Sequence, residues 1–560
     1  MEGKMKLSQL PYQRPDKEKT FEELYALLDE FKGCKNGAEQ YSVIGRIDKI
    51  LEKVNSMGAL AYVRFTLDTN DEFYINEKAF FDEFGAQLNV YMQKLSIEML
   101  DSPYRKEFFS YFPPVVEKNI EINSKTANEE VVPLLIRESE LTTEYTKLIN
   151  NVSVPYKGKD YNLALIGKFF SDDDRNVRRE SMTAAGEALA KIGEKLDKNY
   201  DDLVKVRTEI ARKLGFENYS GLGYCRMMRN CYGKEDIAAF RENVKKYIVP
   251  LVTKIKAKIA EEMALDRITV YDNGVYVKTD PKPIGTPEEL FKKGEAMYDA
   301  LSGETSRLFR RMEADEAFDY LARPGKWGGG YCVGLRYFKT PFILANFNGT
   351  MGDVTVLTHE FGHALAAEEA FMTESSFIEA TMETCEVHSM SMEFFTYPWM
   401  ESFFGKNTDL FKFKHIASSL AFIPYGTIVD AFQQEVYDNP DMTPEQRNAL
   451  WSELDREFLP HMVNDGVPFY DEGRRWQRQM HIYESPFYYI DYCLAQFMAF
   501  QFLALSLKDF DSAFEKYMKF LKAGGTKSFT ELIEYVDLKS PFDKEAFIEV
   551  CDTIAKLIEN

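Results

Sequence analysis

The chain has 560 residues, 28% of them charged and 45% hydrophobic, and carries a formal net charge of −21. These proportions describe a globular protein with apolar residues enough for a sizeable core. The acidic balance argues against nucleic-acid binding, which leaves a basic footprint, and against attachment to anionic membranes.

In chain order, residues 1 to about 20 are polar and contain Pro11 and Pro15, which predicts an extended lead-in. The stretch has no apolar run of the kind a secretory signal needs. Phe21, Leu24, Leu27, Leu28 and Phe31 recur at helical spacing, with Gly33 as a stop signal. Further helices are expected around 39–57, 76–99 and 128–150, punctuated at Asn55-Ser56-Met57-Gly58 and at Pro113-Pro114. Asp174 to Leu214 reads as strongly helical and closes on Gly215, a suitable C′ glycine. A boundary near 200 divides an N-terminal helical region, 1–200, from a second region, 201–560, which holds every histidine.

Ile268–Tyr271 and Val275–Lys278 alternate on either side of Asn273-Gly274, the pattern of a β-hairpin. Gly328-Gly329-Gly330 precedes two short strand candidates, Tyr331–Phe338 and Pro341–Asn346. A helix follows, with Gly352 or Asp353 as its N-cap. Beyond 371 the pattern is mainly helical, broken at Pro398, at 438–444 and at 463–473. The apolar stretch Tyr488–Leu507 contains Asp491, Gln496 and Gln501, so it reads as a buried helix and not a membrane span. The predicted architecture is mostly α, with a small sheet beside one central helix. The seven cysteines are scattered, odd in number and free of any CxxC pair. That usage fits reduced thiols in a cytoplasmic protein.

All six histidines lie between 359 and 481, and two of them fall in His359-Glu360-Phe361-Gly362-His363. Positions four apart share a helix face, so both imidazoles can address one ion. Glu360 projects about 100° away and can border the ion without ligating it. The pattern suits a metal-activated water beside a carboxylate base. Chance placement of two core histidines is the plain alternative. A catalytic zinc needs a third protein ligand, and Glu379, Glu383, Glu386, His388 and Glu393 are the downstream candidates. On one straight helix Glu379, Glu383 and Glu393 fall within about 60° of Glu386, and His388 falls roughly 160° away.

With the zinc motif, Glu386-Val-His-Ser-Met-Ser-Met-Glu393, Pro341–Thr350, His481, Phe487–Tyr492 and Lys213–Tyr219, the sequence resembles the M3 family of zinc oligopeptidases, in its oligoendopeptidase F-like branch. The resemblance implies a helical zincin-type metallopeptidase with a deep substrate cleft, acting on internal bonds of short peptides. It implies one Zn²⁺ per chain on His359, His363 and Glu386, with Glu379 as the fallback third ligand and Glu393 in support. Glu360 would be the general base, and His481, Tyr489 and Tyr492 would stabilise the oxyanion. Tyr488 could replace Tyr489 against the substrate. Gly329, Gly330 and Tyr331 are candidates to pair with the peptide backbone; an ordinary flexible turn is the alternative for the glycines. A zinc carboxypeptidase, a peptidyl-dipeptidase or a peptide-binding protein with a structural zinc are the competing functions. The sequence leaves the oligomeric state open.

Overall fold

The computed structural model describes residues 5–559 and is mostly helical. It forms two compact units, each assembled from separated stretches of chain. The first takes the described residues up to Ser124 with Pro281–Phe411 and Ala499–Leu538; the second takes Lys125–Asp280, Lys412–Met498 and the residues from Lys539 onward. Residue 200 lies inside the helix Gly193–Lys213, within the second unit.

In the first unit the helices Lys17–Gly33, Gly37–Leu67 and Glu72–Leu100 pack around Leu24, Leu28, Phe31, Ile44, Ile47, Phe84, Tyr91 and Leu95. Each start is set by a short polar side chain accepting an otherwise orphaned N–H: Asp16 from Lys19, Asn36 from Glu39 and Asp71 from Phe73 and Tyr74. The expected break at 55–58 does not occur. The helix runs through it because the missing Cβ of Gly58 makes room for the Phe81 ring, 3.0 Å from where that atom would stand.

The sheet that matters has three strands in the order Phe318–Leu321, Thr340–Phe347, Tyr331–Leu335. The last two are antiparallel, with Tyr331 opposite Leu344 and Leu335 opposite Thr340. A turn over Arg336–Phe338 joins them, with Lys339 in the left-handed region at φ 51°. The third strand, Phe318–Leu321, pairs in parallel with the central one and has too little alternation to stand out in sequence. The central strand is buried nearly throughout, and the histidine helix, Gly352–Ala370, packs on this sheet.

In the second unit Asp174–Leu214 is two helices, Arg175–Ala190 and Gly193–Lys213. They part where a Cβ on Gly193 would strike the Arg474 guanidinium. The second ends as expected: Gly215 takes φ +86°, and Phe216 N donates to Ala211 O and Gly215 N to Arg212 O, which is a Schellman closure. The hairpin expected at Asn273-Gly274 is absent. Ile268–Thr269 instead pairs in parallel with Met462–Val463. Neither Asn273 nor Gly274 has the positive φ that a type I′ turn requires. The chain is held by the buried Asp272 carboxylate, which accepts from Thr269, Arg175 and Arg178. Among the described residues no helix is long and apolar enough to cross a membrane.

Candidate active site

The histidine helix begins at Gly352, directly after the central strand and the turn at Asn348–Met351. Its expected cap works differently from the sequence reading. Met351 holds the N-cap position without a side-chain bond. Asp353, already inside the first turn, reaches back to accept from Asn348 N at 2.9 Å and Gly349 N at 2.8 Å. The strand-to-helix corner is thereby fixed, and with it the direction in which residues 359–363 project.

The second helix of the site is Met382–Phe395, buried along most of its length. It lies directly against the histidine helix because position 362 is glycine. A Cβ there would stand 2.7 Å from both His388 O and Ser389 Cα. Tyr517 fixes the same stretch of backbone from another side by donating to His388 O at 2.8 Å.

This close approach brings His359 Nε2 to 3.5 Å and His363 Nε2 to 3.6 Å from Glu386 Oε2. Among the described residues these three form the one group whose ligand atoms, all within 4.8 Å of one another, could hold a metal ion. The donor set fits a divalent ion of the zinc type. His359 Nδ1 bonds Glu393 Oε1 at 2.7 Å, which holds the ring with Nε2 turned toward Glu386. Ser389 Oγ donates to Glu386 Oε2 at 3.1 Å and orients that carboxylate. Burial alone would raise the pKa of Glu386, but hydrogen bonds and charge from the two histidines hold it far below the ordinary carboxylate range.

Glu360 is only 8% exposed. Burial pushes its pKa up and the charges of Glu386 and Glu393 add to the rise, while His359 and His363 pull it back. Its Oε1 lies 3.8 Å from where a Cβ on Gly330 would stand. The glycine turn therefore borders the carboxylate that the motif offers as base, and a side chain at 330 would fill that space. Asn346 Nδ2 pins the turn by donating to Trp327 O and Gly329 O. Trp327 covers Gly329, and Tyr331 stands beside both Trp327 and Tyr62. Tyr331–Leu335 is an edge strand of its sheet.

Glu379 does not join this group. The helix starts at Met382, so Glu379 precedes it, and its backbone packs against Gly525. His388 stays apart as well, buried with its ring against Phe520. Burial, reinforced by His363, lowers its pKa to about 3 and keeps it neutral.

The remaining predicted residues gather in the second unit. His481, on the short helix Met480–Glu484, lies 4.8 Å from the Tyr489 ring, 5.8 Å from Tyr488 and 6.1 Å from Tyr492, centre to centre. Tyr489 and Tyr492 open the helix Tyr489–Ser506. Phe487 turns the chain into that helix from the left-handed region, φ 68°, held by Arg229 bonding its carbonyl and Gln433 accepting its N–H. Gly426 lets the tyrosine helix close in, since a Cβ there would meet Cys493 Sγ and the Tyr489 ring. Burial lowers the pKa of His481 and raises that of Tyr489 well above its ordinary value, so both are neutral hydrogen-bond donors near pH 7.

Sequence reasoning passed over Gly362, Ser389, Trp327 and Gln479. Gly362 carried a signal: glycine inside a helix costs about 1 kcal/mol against alanine and calls for a packing reason. Ser389 and Gln479 gave none, because their partners are set by rotamers.

Residues 7–127 match the Peptidase M3 N-terminal domain and residues 309–551 match Peptidase family M3. The solved structure of Pz peptidase A with an inhibitor superposes with a TM-score of 0.93 at 38% identity, covering 99% of each chain. Oligopeptidase PepF of Bacillus subtilis (strain 168) is 22% identical over 96% of this chain and 84% of its own. An oligoendopeptidase F homolog of Mycoplasma genitalium is 20% identical over 93% of this chain and 88% of its own.

Proposed function

The chain belongs to peptidase family M3, in the oligoendopeptidase F-like branch, and is a metallopeptidase; from that premise we propose that it uses one zinc ion to cut internal bonds of short peptides in the cytoplasm. The observation that carries this is the convergence of His359 Nε2, His363 Nε2 and Glu386 Oε2 beside the buried Glu360. The ligand set is two imidazoles and one carboxylate, which leaves a position for water or substrate. Zinc bound there supplies a water acidified towards pKa ~7 and a Lewis acid for the scissile carbonyl.

The protein's own residues divide the remaining work. Glu393 holds the His359 proton at Nδ1, and Ser389 orients Glu386. Glu360 accepts the proton of the attacking water and returns it to the leaving amine. Burial raises its pKa above the ordinary carboxylate value, the direction that helps it hold the proton before giving it back. His481, Tyr489 and Tyr492 donate to the carbonyl oxygen as it gains charge, and Tyr488 flanks the substrate. The edge of Tyr331–Leu335 and the glycine turn before it receive the peptide as an added strand, with Gly329 and Gly330 permitting close approach. The cytoplasmic assignment rests on seven free cysteines.

Mass mapping of a peptide-length ladder blocked at both ends, with and without a chelator, tests the reading. Internal cuts that vanish with chelator are expected. Cleavage confined to unblocked C-termini would make the enzyme a carboxypeptidase or peptidyl-dipeptidase, and binding without cleavage would remove the catalytic role.

A further inference from the structure

Gln479 occupies the loop just ahead of the helix that carries His481, and its amide faces two partners at once. Tyr425 OH donates to Gln479 Oε1 at 2.8 Å, and Gln479 Nε2 lies 2.7 Å from His481 Nδ1. The amide could in principle be turned over, which would place its oxygen against Nδ1 and require a proton there. Tyr425 decides between the two. Arg475 packs on it, with the guanidinium carbon 4.7 Å from the ring centre. A positive charge beside the phenol favours turning its oxygen lone pairs toward the guanidinium and its proton away, onto Gln479. A carbonyl oxygen must then face Tyr425, and the NH₂ must face His481.

We propose that Gln479 is a positioning residue that fixes the neutral His481 as its Nε2–H tautomer, with Nδ1 accepting from the amide. The hydrogen bonds run one way: Tyr425 to Gln479, and Gln479 to His481. The only ring proton then sits on Nε2, on the far side of the imidazole from Gln479. A neutral histidine that must donate to a substrate oxygen needs its proton on the nitrogen that faces the substrate. A backbone carbonyl at Nδ1, the commoner arrangement, would impose the same tautomer requirement in reverse, drawing the proton to Nδ1. The use made of that donor rests on the proposed function, in which His481 faces the oxyanion.

The test is ¹⁵N NMR of the zinc-loaded protein labelled at histidine, with the His481 signal identified by its loss in His481→Gln. The expected signature is a protonated Nε2 and a bare Nδ1. A proton on Nδ1 in the unsubstituted protein would overturn the proposal, whatever the activity. Gln479→Glu replaces the donor with an acceptor and should move a proton onto Nδ1. Above the imidazolium range it should lower kcat roughly ten- to hundredfold with KM nearly unchanged, a fraction of the ~10²–10³ lost with a whole oxyanion donor. A merely structural role would leave the Nδ1 signal of that variant unprotonated, and this outcome also overturns the proposal. His481→Phe at full activity would instead refute the catalytic use of His481 while leaving the tautomer assignment standing.

Discussion

Replacing Gly362 with alanine sets two effects of comparable size against each other at the centre of the site. Alanine in a helix interior gains about 1 kcal/mol over glycine. The added methyl, however, would sit 2.7 Å from His388 O and from Ser389 Cα, close to 1 Å inside the ~3.5–4.0 Å of comfortable contact. Both atoms belong to helix backbone, which cannot rotate aside as a side chain would. Overpacking of this kind costs about 1–3 kcal/mol, so the net destabilisation of the metal-free protein should be modest, about 0–2 kcal/mol. The metal site should suffer more. Pushing the helices apart by even ~0.5 Å uses the whole tolerance of a preorganised site. It also lengthens the 3.5 and 3.6 Å separations that bring Glu386 to His359 and His363. Zinc affinity should fall about ten- to hundredfold, the scale on which metal sites answer to lost support. Competition against a chromophoric chelator, alongside urea unfolding of the metal-free protein, separates the two. Unchanged zinc affinity in a variant with lowered stability would refute the claim that this backbone contact sets the ligand geometry.

Glu393→Ala should also weaken zinc about ten- to hundredfold by freeing His359 Nδ1, whereas Glu393→Gln keeps an acceptor and should lose less; equal losses in the two would deny Glu393 its orienting role. Glu360→Gln should retain zinc, measured by metal analysis, and lose at least ~10²-fold in kcat, and wild-type turnover would remove it as the base. His461 supplies a pH prediction. Burial, with Lys256 and Arg475 nearby, lowers its pKa to about 4, and its Nε2 bonds Asn273 Oδ1 at 3.0 Å. Between about pH 6.5 and 4 the unfolded chain therefore binds a proton that the folded one refuses, so this contribution to stability is present at neutral pH and is lost as pH falls through that window. Linkage puts it at up to about 3 kcal/mol. His461→Gln should flatten that part of the stability–pH curve in chemical denaturation, and an unchanged slope would contradict the assignment.

The zinc motif, its helix and the two strands before it were legible in sequence because they follow from local rules. Spacing four apart puts His359 and His363 on one face, and short apolar runs after a glycine-rich turn mark the sheet. The long helices were legible for the same reason, while the Asn273-Gly274 hairpin was misread because strand pairing is decided by distant partners, here Met462–Val463. The choice among downstream carboxylates is of that second kind. Periodicity placed Glu379, Glu383 and Glu393 near Glu386 on one imagined helix, but the helix starts at Met382. Burial against the histidine helix through Gly362 then brings Glu386 to the two imidazoles, as a group that could hold a metal ion, and Glu393 to His359 Nδ1. Sequence alone thus determined the chemistry on offer: two imidazoles, a neighbouring base and a stock of carboxylates. Tertiary structure decided how the carboxylates meet the histidines, with Glu386 within 3.5–3.6 Å of both imidazoles and Glu393 at His359 Nδ1. Those outcomes depend on contacts of a few ångströms between segments tens of residues or more apart, and no local pattern encodes them.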